Sequence, residues 1–294
     1  MITFPSANNP YPMPYRPGIL FFLLAITASL HAQIELHGRV FSAIDSLPLA
    51  YVHVGIVGLQ AGTVSDVQGQ FRLAAKSGTV GDTLRFSMLG YEATDWIIPA
   101  RRPTDSLFIY LTKKAYLLPR VTFFPEGIDI QMGAWKNGLT SEVWGAGGLA
   151  SGEELGRYFP LQDGPVRLDT LRFHLRRNNS DSMLFRLNLY TANANGWPQQ
   201  PLLDRDIRFK VIKGKNEADD GWVTVDLADE NLLVEGAFVA TIELLRNWVG
   251  FDYSPIFVSF TKGRERALIR LSSQAPWQKH KRRRPFAFIF EGKK

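Results

Sequence analysis

The chain has 294 residues, no cysteine, 45% hydrophobic residues and a formal charge of +6. That length suits about two domains of roughly 100–200 residues each, and the lack of cysteine excludes disulfides, thiolate metal sites, a cysteine nucleophile and a lipid-bearing N-terminal cysteine. Much of the positive excess sits in one run, Lys279-His280-Lys281-Arg282-Arg283-Arg284, so the rest is close to balanced and lacks the basic, aromatic-interleaved face of a nucleic-acid binder.

Taken in chain order, the first feature is the apolar stretch ILFFLLAITASL at Ile19–Leu30, preceded by Arg16 and followed by His31-Ala32-Gln33. A cation, a short apolar core and a small residue at the end read as an export signal over residues 1–32. The stretch falls short of the ~20 residues of a membrane-spanning helix, so no transmembrane span is expected after cleavage. Met13 opens a more compact version of the same signal and is a second candidate for the start.

From Ile34 the texture changes to short alternating strands. Ile34, Leu36 and Val40 alternate with Glu35, His37 and Arg39, a period of two that turns one set inward. Further strands are predicted at YVHVGIV, QFRLAA, TLRFSML and SLFIYLT, with turns at Asp66-Val67-Gln68-Gly69 and Val80-Gly81-Asp82. The order of landmarks is Gly38-Arg39-Val40, Asp45, Leu47-Pro48-Leu49, Val52-His53-Val54, Gly62 to Asp66, Gly69-Gln70-Phe71, Asp82-Thr83-Leu84 and Gly90-Tyr91. This order resembles the carboxypeptidase regulatory-like domain, a transthyretin-like β-sandwich, over roughly Gln33 to Thr112. The resemblance implies a non-catalytic module, found in that family beside peptidases, adhesins and outer-membrane receptors. It does not bring a peptidase with it: none of His31, His37, His53, His174 or His280 has the glutamate three residues later that a zinc carboxypeptidase needs. In the sandwich Gly62 and Gly69 are expected to permit tight turns, and Phe71 and Leu84 to point into the core.

The first domain is therefore placed at residues 33–114, and 115–165 reads as a linker with a Gly-rich lead-in, Gly133 to Gly156. A second all-β domain, 166–294, follows with strands at LRFHLRR, MLFRLNLYT, RDIRFKV, GWVTVDL, GAFVATIEL, PIFVSF, RALIRL and PFAFIF. That pattern suits a jelly-roll-like sandwich. The expected fold class is all-β, with two tandem sandwiches.

No catalytic signature stands out: there is no Gly-x-Ser-x-Gly elbow and no phosphate-binding Gly-x-x-x-x-Gly-Lys loop. Neither cofactor nor metal is called for, and Asp66/Gly69 and Asp219-Asp220-Gly221 read as turns rather than calcium loops. Glu153, Glu154 and Glu243 are carboxylates available to a glycosidase, whose pairing only a fold decides. Trp197, beside Asn195 in an inter-strand loop, either stacks on a sugar ring or folds over the sandwich end; Trp135 and Trp144 flank the Gly-rich segment and face the same choice. The basic run (Lys281, Arg282, Arg283, Arg284), with Lys262, Arg264 and Arg266 near in sequence, either binds phosphate or carboxylate on lipopolysaccharide or an acidic glycan, or is a solvated loop.

The expectation is a non-catalytic exported cell-envelope protein, in the periplasm or at the outer-membrane surface, acting as a binding or scaffold module. Its expected partners are envelope proteins or cell-surface polysaccharide. The alternatives are a surface glycan-binding protein and, less favoured, a glycoside hydrolase.

Overall fold

Alternation of apolar and polar residues becomes strand wherever the chain is described. The computed structural model describes residues 34–75, 81–100, 106–114, 127–133, 140–144, 152–161, 164–177, 180–215, 221–248, 256–261, 263, 267–281 and 284–294. The expected export signal, Trp135, Asp219, Asp220, Lys262, Arg264, Arg266, Arg282 and Arg283 lie outside these residues.

Strands β1 (Ile34–Ser42), β2 (His53–Ile56), β3 (Gly62–Val64), β4 (Gln70–Ala75), β5 (Thr83–Ser87), β6 (Thr94–Ile97) and β7 (Leu107–Leu111) make the first sandwich. They pair as β4-β1-β7 and β3-β2-β5-β6, with β7 parallel to β1. Leu36, Val40, Val54, Phe71, Leu84 and Phe86 fill the space between the sheets, and Phe71 meets Phe86 edge-on at 5.4 Å. Asp66 Oδ1 accepts the N–H groups of Gln68 and Gln70, and Gly69 completes that turn with φ +76. Phe71, Leu84 and the Asp66 turn are placed as the pattern predicts.

Strands β8 (Asp129–Gly133), β9 (Thr140–Trp144), β10 (Glu153–Phe159), β11 (Val166–Arg177), β12 (Ser182–Ala192), β13 (Pro198–Pro201) and β14 (Ile207–Ile212) open the second sandwich. It is completed by β15 (Trp222–Asp226), β16 (Leu232–Val234), β17 (Phe238–Trp248), β18 (Ile256–Phe260), β19 (Leu268–Arg270), β20 (Gln278–Lys279) and β21 (Phe288–Lys293). One sheet runs β13-β12-β17-β10-β19-β20 with β14 beside β12; the other runs β8-β21-β11-β18-β9 with β15 and β16 against β11. From β11 to β21 the chain passes back and forth between the sheets, as in a jelly roll. Phenylalanines are the largest fully buried side chains of its core: Phe159 stacks on Phe238 at 5.0 Å and meets Phe290 at 5.3 Å.

The stretch 115–165 differs from its linker reading. It contributes β8 and β9 to one sheet and β10 to the middle of the other, between β17 and β19. Glycine and paired acids hide the alternation of β10, in which Leu155 and Phe159 enter the core while Glu154, Gly156 and Tyr158 face the opposite side.

Residues 34–294 form one compact unit in which the first sandwich lies against the outer face of the β12–β17–β10–β19 layer. Tyr51 and Val64 of the first pack on Leu245 of the second, Gln274 Nε2 donates to Ser87 Oγ at 3.0 Å, and Gly58 N–H donates to the Gln274 carbonyl at 3.2 Å. Gly62 lies inside β3 rather than in a turn; a Cβ there would stand 2.8 Å from Ser272 Cβ. Its requirement is close approach, not positive φ. Gly62→Val is expected to lower stability by about 1–3 kcal/mol by overpacking this contact, seen as a lower urea midpoint; an unchanged midpoint would contradict the role.

Candidate functional site

Each of the long strands MLFRLNLYT and GAFVATIEL carries one charged residue, Arg186 and Glu243. Strand register places these side by side and extends the row. Arg186 pairs with Glu243 across β12 and β17, Glu243 with Glu154 across β17 and β10, and Glu154 with Arg270 across β10 and β19. The row therefore reads cation, anion, anion, cation over four adjacent strands. It lies on the face that the first sandwich covers, and both glutamates are 0% exposed.

Like charges opposite one another on neighbouring strands repel, so each carboxylate needs its own compensation. Glu243 Oε2 accepts from Arg186 Nη1 and from Asn188 Nδ2, both at 3.2 Å. Its Oε1 lies 2.6 Å from His53 Nε2, contributed by β2 of the first sandwich. Glu154 accepts from Thr241 Oγ1 at 2.8 Å, from Tyr190 O–H at 3.1 Å and from Arg270 Nη2. Arg186 donates twice to Asp206, at 2.7 and 3.3 Å, and once to the Tyr51 carbonyl at 2.9 Å. Tyr51 holds φ +60, a conformation a bulky residue adopts only under constraint; here its carbonyl meets the guanidinium and its ring lies under Arg208 at 5.2 Å.

His53 Nε2 is also 2.8 Å from Arg186 Nη1. With Nε2 protonated, the ring donates to Glu243 and has no lone pair for the guanidinium, so both donors converge on one carboxylate. Burial pushes the Glu243 carboxyl up, but His53 and Arg186 together outweigh it and hold it below the usual carboxylate range. Burial likewise works against the charge of Arg186, and Glu243 and Asp206 override it, raising its pKa. Burial, then the neighbouring Glu154, raises the Tyr190 phenol well above its ordinary value. These are charge-compensated groups closed to solvent, whereas glycosidase chemistry needs a protonated acid and a second carboxylate reaching a substrate.

Glu153, adjacent in sequence, opposes Leu244 of the core layer, and burial pushes its carboxyl up to about 7. A folded-state pKa above the unfolded value of about 4.3 makes the native protein favour the protonated form. That contribution is full below about pH 4 and is lost as pH rises toward 7. Glu153→Gln is therefore expected to gain about 1–2 kcal/mol relative to wild type between acid and mildly alkaline pH, after discounting for partial exposure. Urea midpoints of both proteins across that range check it; a constant difference would refute it.

Trp197 and Asn195 do come together with the start of the basic run. Lys279 Nζ lies 4.7 Å from the Trp197 ring centre and donates to the Asn195 carbonyl at 2.9 Å. Trp197 is half-buried with Lys279 on its face, and Gly196 beside it abuts the Tyr158 ring. His280 stacks on Phe260 at 5.0 Å, Lys281 is exposed, and the Arg284 carbonyl accepts from Ala267 N–H. Trp144 lies in β9. The residues missed by sequence reading are His53, Arg186, Asp206, Tyr190 and Arg270. A lone charge in an otherwise apolar strand was the available signal for Arg186, and equally for Glu243. Among the described residues, no group of three or more His, Cys, Asp or Glu is placed to hold a metal ion.

The architecture is thus an all-β protein of two sandwiches joined through a buried ionic row. The family model of the CarboxypepD_reg-like domain matches residues 36–122. The first sandwich is accordingly a carboxypeptidase regulatory-like domain, whose family match ends eight residues beyond the expected boundary at 114. Comparison with curated proteins returns no match. Among solved structures, the VP2 subviral particle of infectious bursal disease virus aligns at 7% identity over 88% of this chain and 63% of that one, with a TM-score of 0.21. This chain thus spans less than two thirds of the viral chain, and so slight a likeness carries no argument.

Proposed function

We propose that this protein is a non-catalytic, exported component of a bacterial cell envelope, a binding or scaffold module whose regulatory-like domain is held rigidly to a second sandwich. The observation that carries the reading is the closed charge row. Glu154 and Glu243, two of the three carboxylates a hydrolase would draw on, are buried against Arg270 and against Arg186 and His53, and Glu243 joins the two domains through His53. A rigid pair of sandwiches offers outer sheet faces and loop ends to partners, whether envelope proteins or surface polysaccharide. No described helix is long and apolar enough to cross a membrane.

The test is gentle crosslinking in the native host, followed by purification of the full chain and identification of attached proteins and glycans. Specific recovery of envelope components is the expected result. Cytoplasmic recovery of an unprocessed chain, or turnover of any glycan by the purified protein, would overturn the proposal.

A further inference from the structure

We infer that the outer face of the β4-β1-β7 sheet is a binding groove for an acidic glycan, a site that rests on the binding-module reading and gives it a ligand class. Strand alternation turns His37, Arg39 and Phe41 of β1 outward, and register sets Arg72 beside His37, Gln70 and Phe108 beside Arg39, and Tyr110 beside Phe41. A cleft of about 450 Å³ opens there, lined by His37, Arg39, Gln70, Arg72, Ser106 and Phe108, within the usual range of roughly 300–1,000 Å³ for ligand sites.

The chemistry around the cleft is of two kinds. Phe108 and Tyr110 are 64% and 52% exposed, and Tyr110 lies nearly parallel to Phe41 at 5.4 Å. Open aromatic faces suit the apolar C–H faces of sugar rings. Arg39 lies 5.2 Å over the Phe41 ring and donates to the Gln68 carbonyl, which fixes its guanidinium at the groove. Arg72 reaches Glu35 at 3.4 Å, but their side chains are 78% and 56% exposed. An exposed pair of that kind is weak, and a ligand carboxylate can replace Glu35 in a bidentate contact. Asp66 also lines the cleft, but its Oδ1 accepts two backbone N–H groups in the turn before β4. Charge complementarity therefore favours an anion.

The groove runs across the sheet, from Arg72 on β4 to Phe108 on β7, about two strand spacings or ~10 Å. A polypeptide adding to the β7 edge would run along the strands and leave Arg72 unused. A short oligosaccharide with carboxylates spans both ends.

The experiment is calorimetric titration of the full chain with tetragalacturonate and with a hyaluronate tetrasaccharide. Fully methyl-esterified tetragalacturonate and polyglutamate are the comparison probes. Binding of an acidic oligosaccharide that weakens with added salt, and about ten-fold in each of Phe108→Ala and Arg72→Gln, is expected, with Trp197→Ala unchanged. Both substituted side chains are exposed, so the fold tolerates the changes. Failure of both acidic oligosaccharides to bind, equal binding of the ester, or polyglutamate binding as tightly through the same residues would overturn the groove as an acidic-glycan site and leave the scaffold reading standing. Dependence on Trp197 instead of Phe108 would also overturn it. Cleavage of either oligosaccharide would overturn the non-catalytic reading itself.

Discussion

Glu243→Ala is expected to lower the stability of the full chain by about 3–5 kcal/mol, because it removes the anion from the centre of a buried network. Arg186 would keep Asp206 and the Tyr51 carbonyl, yet His53 and the guanidinium, 2.8 Å apart, would lose the carboxylate on which both converge. The loss falls on the joint between the sandwiches as well as on the sheet, since His53 belongs to one and Glu243 to the other. Glu243→Gln keeps the shape and one acceptor, so its loss is expected to be smaller. Urea unfolding measures both; a loss below about 1 kcal/mol for alanine, typical of surface changes, would remove the row from the account of stability.

The same carboxylate predicts an acid limb. Its folded-state pKa is held below the unfolded value of about 4.3. The stability it contributes is therefore present above that value and is lost as pH falls through the folded-state pKa. Glu243→Gln should flatten that part of the wild-type pH profile; identical acid limbs in the two proteins would contradict the assignment.

Arg270→Met is the second large effect, again about 3–5 kcal/mol. It leaves Glu154 buried with only the Thr241 and Tyr190 hydroxyls as described side-chain partners. Methionine retains an apolar stem against Trp277, whose ring lies 4.7 Å from the Arg270 guanidinium, so packing alone does not account for the loss. Adding Glu154→Gln should recover part of it, with an interaction energy of roughly 0.5–3 kcal/mol between the two sites. Strictly additive losses in that cycle would show that the two residues do not act as a pair.

Much of the fold is legible in the residues alone. The landmarks of the first sandwich are ordered along the chain and depend on local turns: Asp66 and Gly69 form theirs with neighbours within a few residues. The long strands β11, β12 and β17 show themselves by alternation alone. Strand β10 did not, since its outward residues, Glu154 and Gly156, resemble a loop until Arg270, Tyr190 and Thr241 of the same sheet close over them. Of the charge row, the carboxylates Glu154 and Glu243 were visible as candidates, but not as neighbours. Their partners come from 36 to 190 residues away: Tyr190 is 36 and Arg270 is 116 from Glu154, while Arg186 is 57 and His53 is 190 from Glu243 (Asp206 lies 20 from Arg186).

By itself the sequence determined the all-β class, the regulatory-like first sandwich and the strand pattern of the second, because side-chain periodicity and turn chemistry are local properties. Only the tertiary structure decided that Glu154 and Glu243 are a closed, compensated pair. Register across four strands and the docking of His53 set their partners, and burial makes those partners obligatory.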